Sequence, residues 1–314
     1  MIELKNVCKH YGETIALDDI SFSIKKGEIV GFVGPNGAGK STTMKIITTY
    51  TAPTSGTASV GGYDVLGDPL KVRSLIGYLP ETVPLYYDML VSEYLEFIGA
   101  ARHLNGSFKK RYDWVVEATG LAPVLKRKIA VLSKGYKQRT CLAQALIHDP
   151  EVLILDEPTS GLDPLQIIGI RNLIKELAHE KTIILSTHIL PEAANVSDRI
   201  LVVSGGKLVA DGTFDALVQQ VSDQRSIYIS TKSTKKDFEA GIKSIKGVTD
   251  IVYNDNTPRG EIAAHVYSDP KVDLTAKIND VIQEHKWTIL EFQQERLSLE
   301  DSFIRLTSAE GRES

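Results

Sequence analysis

Apolar and polar residues alternate over residues 2–8 and 20–25, the period of a half-buried strand, and residues 28–33 form a short apolar run that ends at a glycine. The chain therefore opens rich in β-structure. A glycine-bearing loop at 34–40 follows, then a helix start over 41–49; the turn formers Pro53-Thr54-Ser55-Gly56 and Gly61-Gly62 separate further short strands. Over 92–101, 112–119 and 137–147 apolar positions recur every three or four residues, which predicts helices through the middle third. Unbroken apolar runs at 152–155 and 182–186 have the character of parallel strands covered on both faces, with a helix over 165–179 between them. The pattern is a βαβ core carrying an inserted helical lobe.

Beyond about residue 221 the texture changes. Strand 225–231, helix 235–245, strands 248–253 and 261–267, helix 272–285 and strand 287–292 give the order β-α-β-β-α-β, the ferredoxin-like pattern. A chain of 314 residues is long for one domain. We expect an α/β nucleotide-binding domain at 1–220, with its helical subdomain at about 82–150, and an accessory α+β domain at 221–314 that ends in a closing helix near 299–307 and a polar tail.

Composition narrows the partners. A net charge of −4 does not suit a surface devoted to nucleic acid, so none is expected as a partner. Cys8 and Cys141 stand in neither a CxxC nor a Cys/His metal spacing and read as reduced core thiols, consistent with a reducing compartment. The opening residues lack the basic-then-apolar order of a signal peptide, and no apolar stretch approaches the roughly 18 residues that span a bilayer. A membrane is expected to be reached only through another chain.

Two motifs carry chemistry. Gly34-Pro35-Asn36-Gly37-Ala38-Gly39-Lys40-Ser41 fits G-x-x-x-x-G-K-[ST] between a predicted strand and a predicted helix. Glycine is needed there because the backbone must wrap closely enough for its N–H groups, and the positive end of the helix, to meet phosphate oxygens. Lys40 is then expected to neutralise β- and γ-oxygens, Ser41 to offer its hydroxyl to Mg²⁺, and Thr42 to extend the phosphate-binding set. The strand at 152–155 ends in Asp156 and Glu157, acids that belong beside that loop at the carboxyl edge of a parallel sheet. Asp156 is expected in the metal shell, and Glu157 is placed to activate the attacking water.

Between these motifs, Leu132-Ser133-Lys134-Gly135-Tyr136-Lys137-Gln138-Arg139 resembles the LSGGQ signature of ATP-binding-cassette proteins. The resemblance extends to Tyr11, at the adenine-stacking aromatic, to Ser160-Gly161-Leu162-Asp163, at the D-loop, and to His188, at the switch histidine; it covers roughly residues 1–215. It implies two chains sandwiching two ATP molecules, with Ser133 and Gly135 of one chain at the γ-phosphate held by Lys40 of the other. His188 would touch that phosphate, and Asp163 would link the two sites.

Two departures stand out. Lys134-Gly135-Tyr136 replaces the usual Gly-Gly-Gln and brings a positive charge toward the opposite γ-phosphate. Glu81 follows Ile76-Gly77-Tyr78-Leu79-Pro80, where the family usually has the Q-loop glutamine; its carboxylate is still expected to ligate Mg²⁺ and to serve as a hinge. The stretches at 76–97 and 298–307 resemble the ABC-2 branch, in particular gliding-motility and multidrug-type ATPase subunits. That resemblance implies a homodimer peripheral to the cytoplasmic face of the membrane, driving export through a separate ABC-2 type permease, with a docking groove for the permease at 85–97. An importer subunit and a soluble cassette ATPase are the alternatives.

Overall fold

The computed structural model describes every residue except 83, 105, 179, 218–224, 255, 256, 259, 269–271, 273 and 297–314. The expected closing helix and polar tail, and the second of the two stretches that resemble the ABC-2 branch, lie outside the described residues. The chain divides into two compact units, one built on Met1–Phe214 and the other on Asp215–Leu306.

In the first unit, β1 (Ile2–Tyr11) and β2 (Thr14–Ile24) form a long antiparallel hairpin. Alternation reveals only part of each strand because bulges interrupt it. The register shifts between Leu4 and Val7 and again before Lys9, and Asn6 and Asp19 take left-handed φ values of 48° and 55°. Asn6 Nδ2 donates to Asp19 Oδ1 across the kink at 2.8 Å.

The central sheet has six strands in the order β10-β9-β3-β8-β7-β6, with β10 the antiparallel edge and the rest parallel. These are β3 (Ile29–Val33), β6 (Ile76–Leu79), β7 (Val152–Asp156), β8 (Thr182–Thr187), β9 (Arg199–Ser204) and β10 (Lys207–Gly212). Every residue of β3, β7 and β8 is buried, so these strands read as continuous apolar runs. Their side chains still alternate between two cores. Val30, Phe32, Ile154 and Ile184 meet α1 (Lys40–Ile47) and the β1–β2 side, where β4 (Ser55–Val60) and β5 (Tyr63–Asp64) complete the smaller sheet. Leu153, Leu155, Ile183 and Leu185 face the opposite core.

That opposite core is shared with α3 (Val91–Ala101), α4 (Phe108–Ala118), α5 (Lys134–Leu146) and α6 (Pro164–Leu177). Helix α5 begins three residues before its apolar period, because Ser133 caps it and accepts the Tyr136 N–H at 3.4 Å. It lies so close to β6 that a Cβ on Gly77 would stand 2.1 Å from Ala145 O. The short helices α2 (Pro69–Leu75) and α7 (Leu190–Ala194) precede β6 and follow β8.

The second unit contains β11 (Arg225–Lys232), α8 (Lys235–Lys243), β12 (Val248–Tyr253), β13 (Ile262–Ser268), α9 (Thr275–Glu284) and β14 (Thr288–Arg296). Its antiparallel sheet has the order β12-β13-β11-β14, the ferredoxin-like arrangement that the element order predicts. Phe238 and Trp287 stack at 5.3 Å in its core, and Trp287 Nε1 donates to Asp237 Oδ2 at 2.7 Å.

Candidate nucleotide site

Parallel pairing assembles the site. Val33 lies opposite Thr187 and Asp156 opposite Ser186, so the carboxyl ends of β3, β8 and β7 open at one edge of the sheet. The loop from Gly34 to Gly39 leaves β3 and turns into α1. Gly39, at φ 104°, takes a backbone shape that L side chains avoid, and a Cβ there would also stand 2.6 Å from Leu17 Cδ2. Ala38 is buried, and its N–H donates to Pro35 O at 3.2 Å, which closes the turn.

Lys40, 6% exposed, points back into this loop and donates to Gly34 O at 2.8 Å and Pro35 O at 3.2 Å. Its ammonium is 3.7 Å from Glu157 Oε1. The same carboxylate is met by His188, whose Nδ1 lies 3.1 and 3.0 Å from its two oxygens. Removing opposite charges from water yields little net stability. The Lys40–Glu157 contact therefore adds little to folding stability.

Backbone geometry aims Glu157 at this position. Among the described residues it is one of seven non-glycine residues at positive φ, at 51°, and its N–H donates to Ser186 O at 3.2 Å and Ser186 Oγ at 3.1 Å. The Ser186 hydroxyl in turn donates to Asp156, which is 1% exposed. Burial, and then the charge of Asp156, push the neighbouring Tyr78 phenol well above its ordinary range. Tyr78 thus stays uncharged beside Asp156.

Asn36, Gly37, Gly39, Lys40, Ser41, Thr42, Glu81, Glu157, Ser160 and His188 line one cleft of about 420 Å³. Ser41 and Glu81 also line an adjoining cleft of about 520 Å³, together with Asp156. Tyr11 is half exposed at the end of β1, with Lys9 Nζ 4.9 Å over its ring. Ser133, Gly135 and Asp163 do not line the 420 Å³ cleft. Gly135 is instead covered by Gln166 of its own chain, whose Oε1 would stand 2.4 Å from an added Cβ, and Lys134 Nζ lies against Gly161. Asp163 caps α6 by accepting the Gln166 N–H at 2.9 Å.

Sequence reading gave no role to Ser186, Thr159 or Glu192, and met Gln138 only within the signature stretch. Gln138 is buried and donates to Pro158 O at 3.2 Å, tying α5 to the residue after Glu157. The available signal was polarity in an apolar setting, as at Ser186 and Thr187 closing an otherwise aliphatic strand.

A glycine loop with a buried lysine, facing a carboxylate at the edge of a parallel sheet, defines a P-loop nucleotide hydrolase. Residues 17–160 match the ABC transporter family. The linearmycin resistance ATP-binding protein LnrL of Bacillus subtilis is 34% identical over 309 residues, covering 98% of both chains. The bacitracin transport ATP-binding protein BcrA of Bacillus licheniformis is 32% identical, over 98% of this chain and 97% of the relative. A dimeric ATP-binding cassette solved in a post-hydrolysis state with ADP and Pi superposes with a TM-score of 0.61 at 28% identity, over 68% of this chain and 98% of that one. The protein belongs to the ABC transporter ATP-binding family and is an ATP-hydrolysing subunit.

Proposed function

We propose that the chain is the motor of an exporter, pairing with a second copy around ATP and driving a separate ABC-2 type permease from the cytoplasmic face of the membrane. The observation that carries the site reading is the contact of the Glu157 carboxylate with both the Lys40 ammonium and the His188 ring. In this reading Glu157 accepts a proton from the water that attacks the γ-phosphorus, while Lys40 and His188 hold oxygens of the transferring group. Gly34, Pro35, Asn36, Gly37, Ala38, Gly39, Ser41 and Thr42 cradle the phosphates, and Tyr11 stacks on adenine. Ser133 and Gly135 of the second copy close the site, and Asp163 couples the two halves.

Ser41, Glu81 and Asp156 contribute an all-oxygen donor set to one cleft, which suits Mg²⁺, a cation that takes one or two carboxylates and shares substrate phosphates. Among the described residues no cluster of three His, Cys, Asp or Glu side chains forms a cage. When bound, the ion offsets charge on the β- and γ-oxygens.

Export is supported by the relatives, one named for linearmycin resistance and another for bacitracin transport. A membrane partner is supported by the relatives that are named as ATP-binding proteins of transporters; among the described residues no helix is long and apolar enough to cross a bilayer. Exposed Tyr86, Tyr87 and Phe97 on the helical lobe are the surface we assign to permease docking.

Glu157→Gln tests the site. ATPase turnover should fall by about 100-fold or more, and Mg-ATP should shift the protein to a dimer by light scattering. Unimpaired turnover in that variant would refute the assigned base.

A further inference from the structure

Beside the catalytic edge stands a carboxylate that no motif singles out. Glu192, on α7, places Oε2 2.7 Å from Thr159 Oγ1 and 3.3 Å from Thr187 Oγ1. The Thr187 oxygen also accepts the Ile189 N–H at 3.1 Å, which leaves its one hydrogen to point at Glu192. Two hydroxyls from different segments thus converge on one oxygen atom.

Their positions in the chain give this convergence its meaning. Thr159 follows Glu157 by two residues, and Thr187 directly precedes His188. Glu157 is held in a left-handed conformation, which is strained for a side-chain-bearing residue and persists only where its surroundings over-determine it. Ser186 fixes Glu157 from its N–H side. The Thr159–Glu192 bond fixes the segment that leaves it.

We propose that Glu192 is a positioning residue for ATP hydrolysis: by gathering Thr159 and Thr187 it keeps Glu157 and His188 at their mutual 3.0–3.1 Å spacing through turnover. This rests on the roles assigned above to Glu157 and His188. Glu192 acts through the two threonines rather than on substrate. Removing it loosens both groups at once.

The test uses the full chain with Glu192→Ala, Glu192→Gln, Thr159→Val, Thr187→Val and the Thr159→Val/Glu192→Ala pair. Steady-state kcat and KM are measured together with melting temperature. Glu192→Ala should lower kcat by about 10- to 100-fold, the scale of a small misplacement at a reacting centre, with KM and melting temperature little changed. Glu192→Gln keeps an oxygen that accepts from both hydroxyls and should recover kcat to within about threefold of the parent. The pair should lose little more than its worse single variant. An unchanged kcat in Glu192→Ala, a loss that tracks melting temperature, or glutamine no better than alanine overturns the proposal. Should Glu192→Ala fail to fold, Thr159→Val and Thr187→Val decide, and wild-type kcat in both overturns it. Normal turnover in Glu157→Gln would instead sink the underlying site reading, a result distinguishable from indifference to Glu192 alone.

Discussion

Two glycines of one loop should fail in different ways when given a methyl group. A Cβ on Gly34 would stand 2.3 Å from Val203 O and 3.1 Å from Ala38 Cβ, so backbone must give by about 0.7 Å to restore contact distance. Overpacking against a carbonyl that anchors the β9–β10 turn should cost about 2–3 kcal/mol. Gly37 meets nothing within 4 Å but sits at φ 82°, so Gly37→Ala carries only left-handed strain, about 1 kcal/mol. For a unit of this size each kcal/mol lowers the melting temperature by about 3 °C. Gly34→Ala should therefore melt about 6–9 °C below the parent, and Gly37→Ala about 3 °C below. Trp114 lies in the first unit and Trp287 in the second, so fluorescence melts in a Trp287→Phe background isolate the relevant transition. Binding of a fluorescent ATP analogue, followed in parallel, should weaken more in Gly34→Ala, whose loop is displaced as a whole. If Gly34→Ala melts within 1 °C of Gly37→Ala, the steric argument is refuted.

Other outcomes follow from the same geometry. Burial tends to raise the Asp149 carboxyl, but the Lys181 hydrogen bond and charge, with Arg111 3.2 Å away, prevail and hold it below its usual range. Its contribution is then present above the unfolded value near about 4 and lost as pH falls through the lower folded value. Asp149→Asn, which tolerates the left-handed φ of 58°, should melt below wild type at pH 7, with the gap closing at pH 3; a gap independent of pH counts against the pairing. Burial pushes the Cys141 thiol up to about 12, so native protein should leave Cys141 unmodified by Ellman's reagent at pH 8 until denatured. Rapid native labelling of Cys141, located by peptide mapping, would contradict this. Glu81→Ala should raise the Mg²⁺ concentration needed for half-maximal ATPase several-fold, by about tenfold for one lost carboxylate ligand. An unchanged metal titration removes Glu81 from the metal set.

The phosphate loop was legible because its function is local: one unbroken run, Gly34 to Ser41, carries both the turn and the cation. The apolar runs of β7 and β8 were legible because two cores bury both faces. Other features escaped for equally physical reasons. The hairpin is longer than its alternation suggests because Asn6 and Asp19 bulge and reset the period. Helix α5 starts at Lys134, before its first periodic apolar residue, because a capping hydroxyl sets its beginning. The meeting of Thr159, Thr187 and Glu192 is set by sheet order, which no local pattern records. The strand and helix order of the second unit was readable, since its apolar residues, Phe238, Ile278 and Trp287 among them, turn to one core.

The insertion of β8 between β3 and β7, with Gly34 seated under Val203, sets a schedule for biosynthesis. The segment that forms the phosphate loop leaves the ribosome early, yet both strands that flank β3 are translated well over a hundred residues later. Until then β3 is an apolar ribbon with both edges unpaired, the kind of surface that chaperones cover and that aggregates at high expression. Nascent chains cut short of Val203 should thus be insoluble or chaperone-bound, and cellular ATP can begin to favour the folded state only after that point in translation.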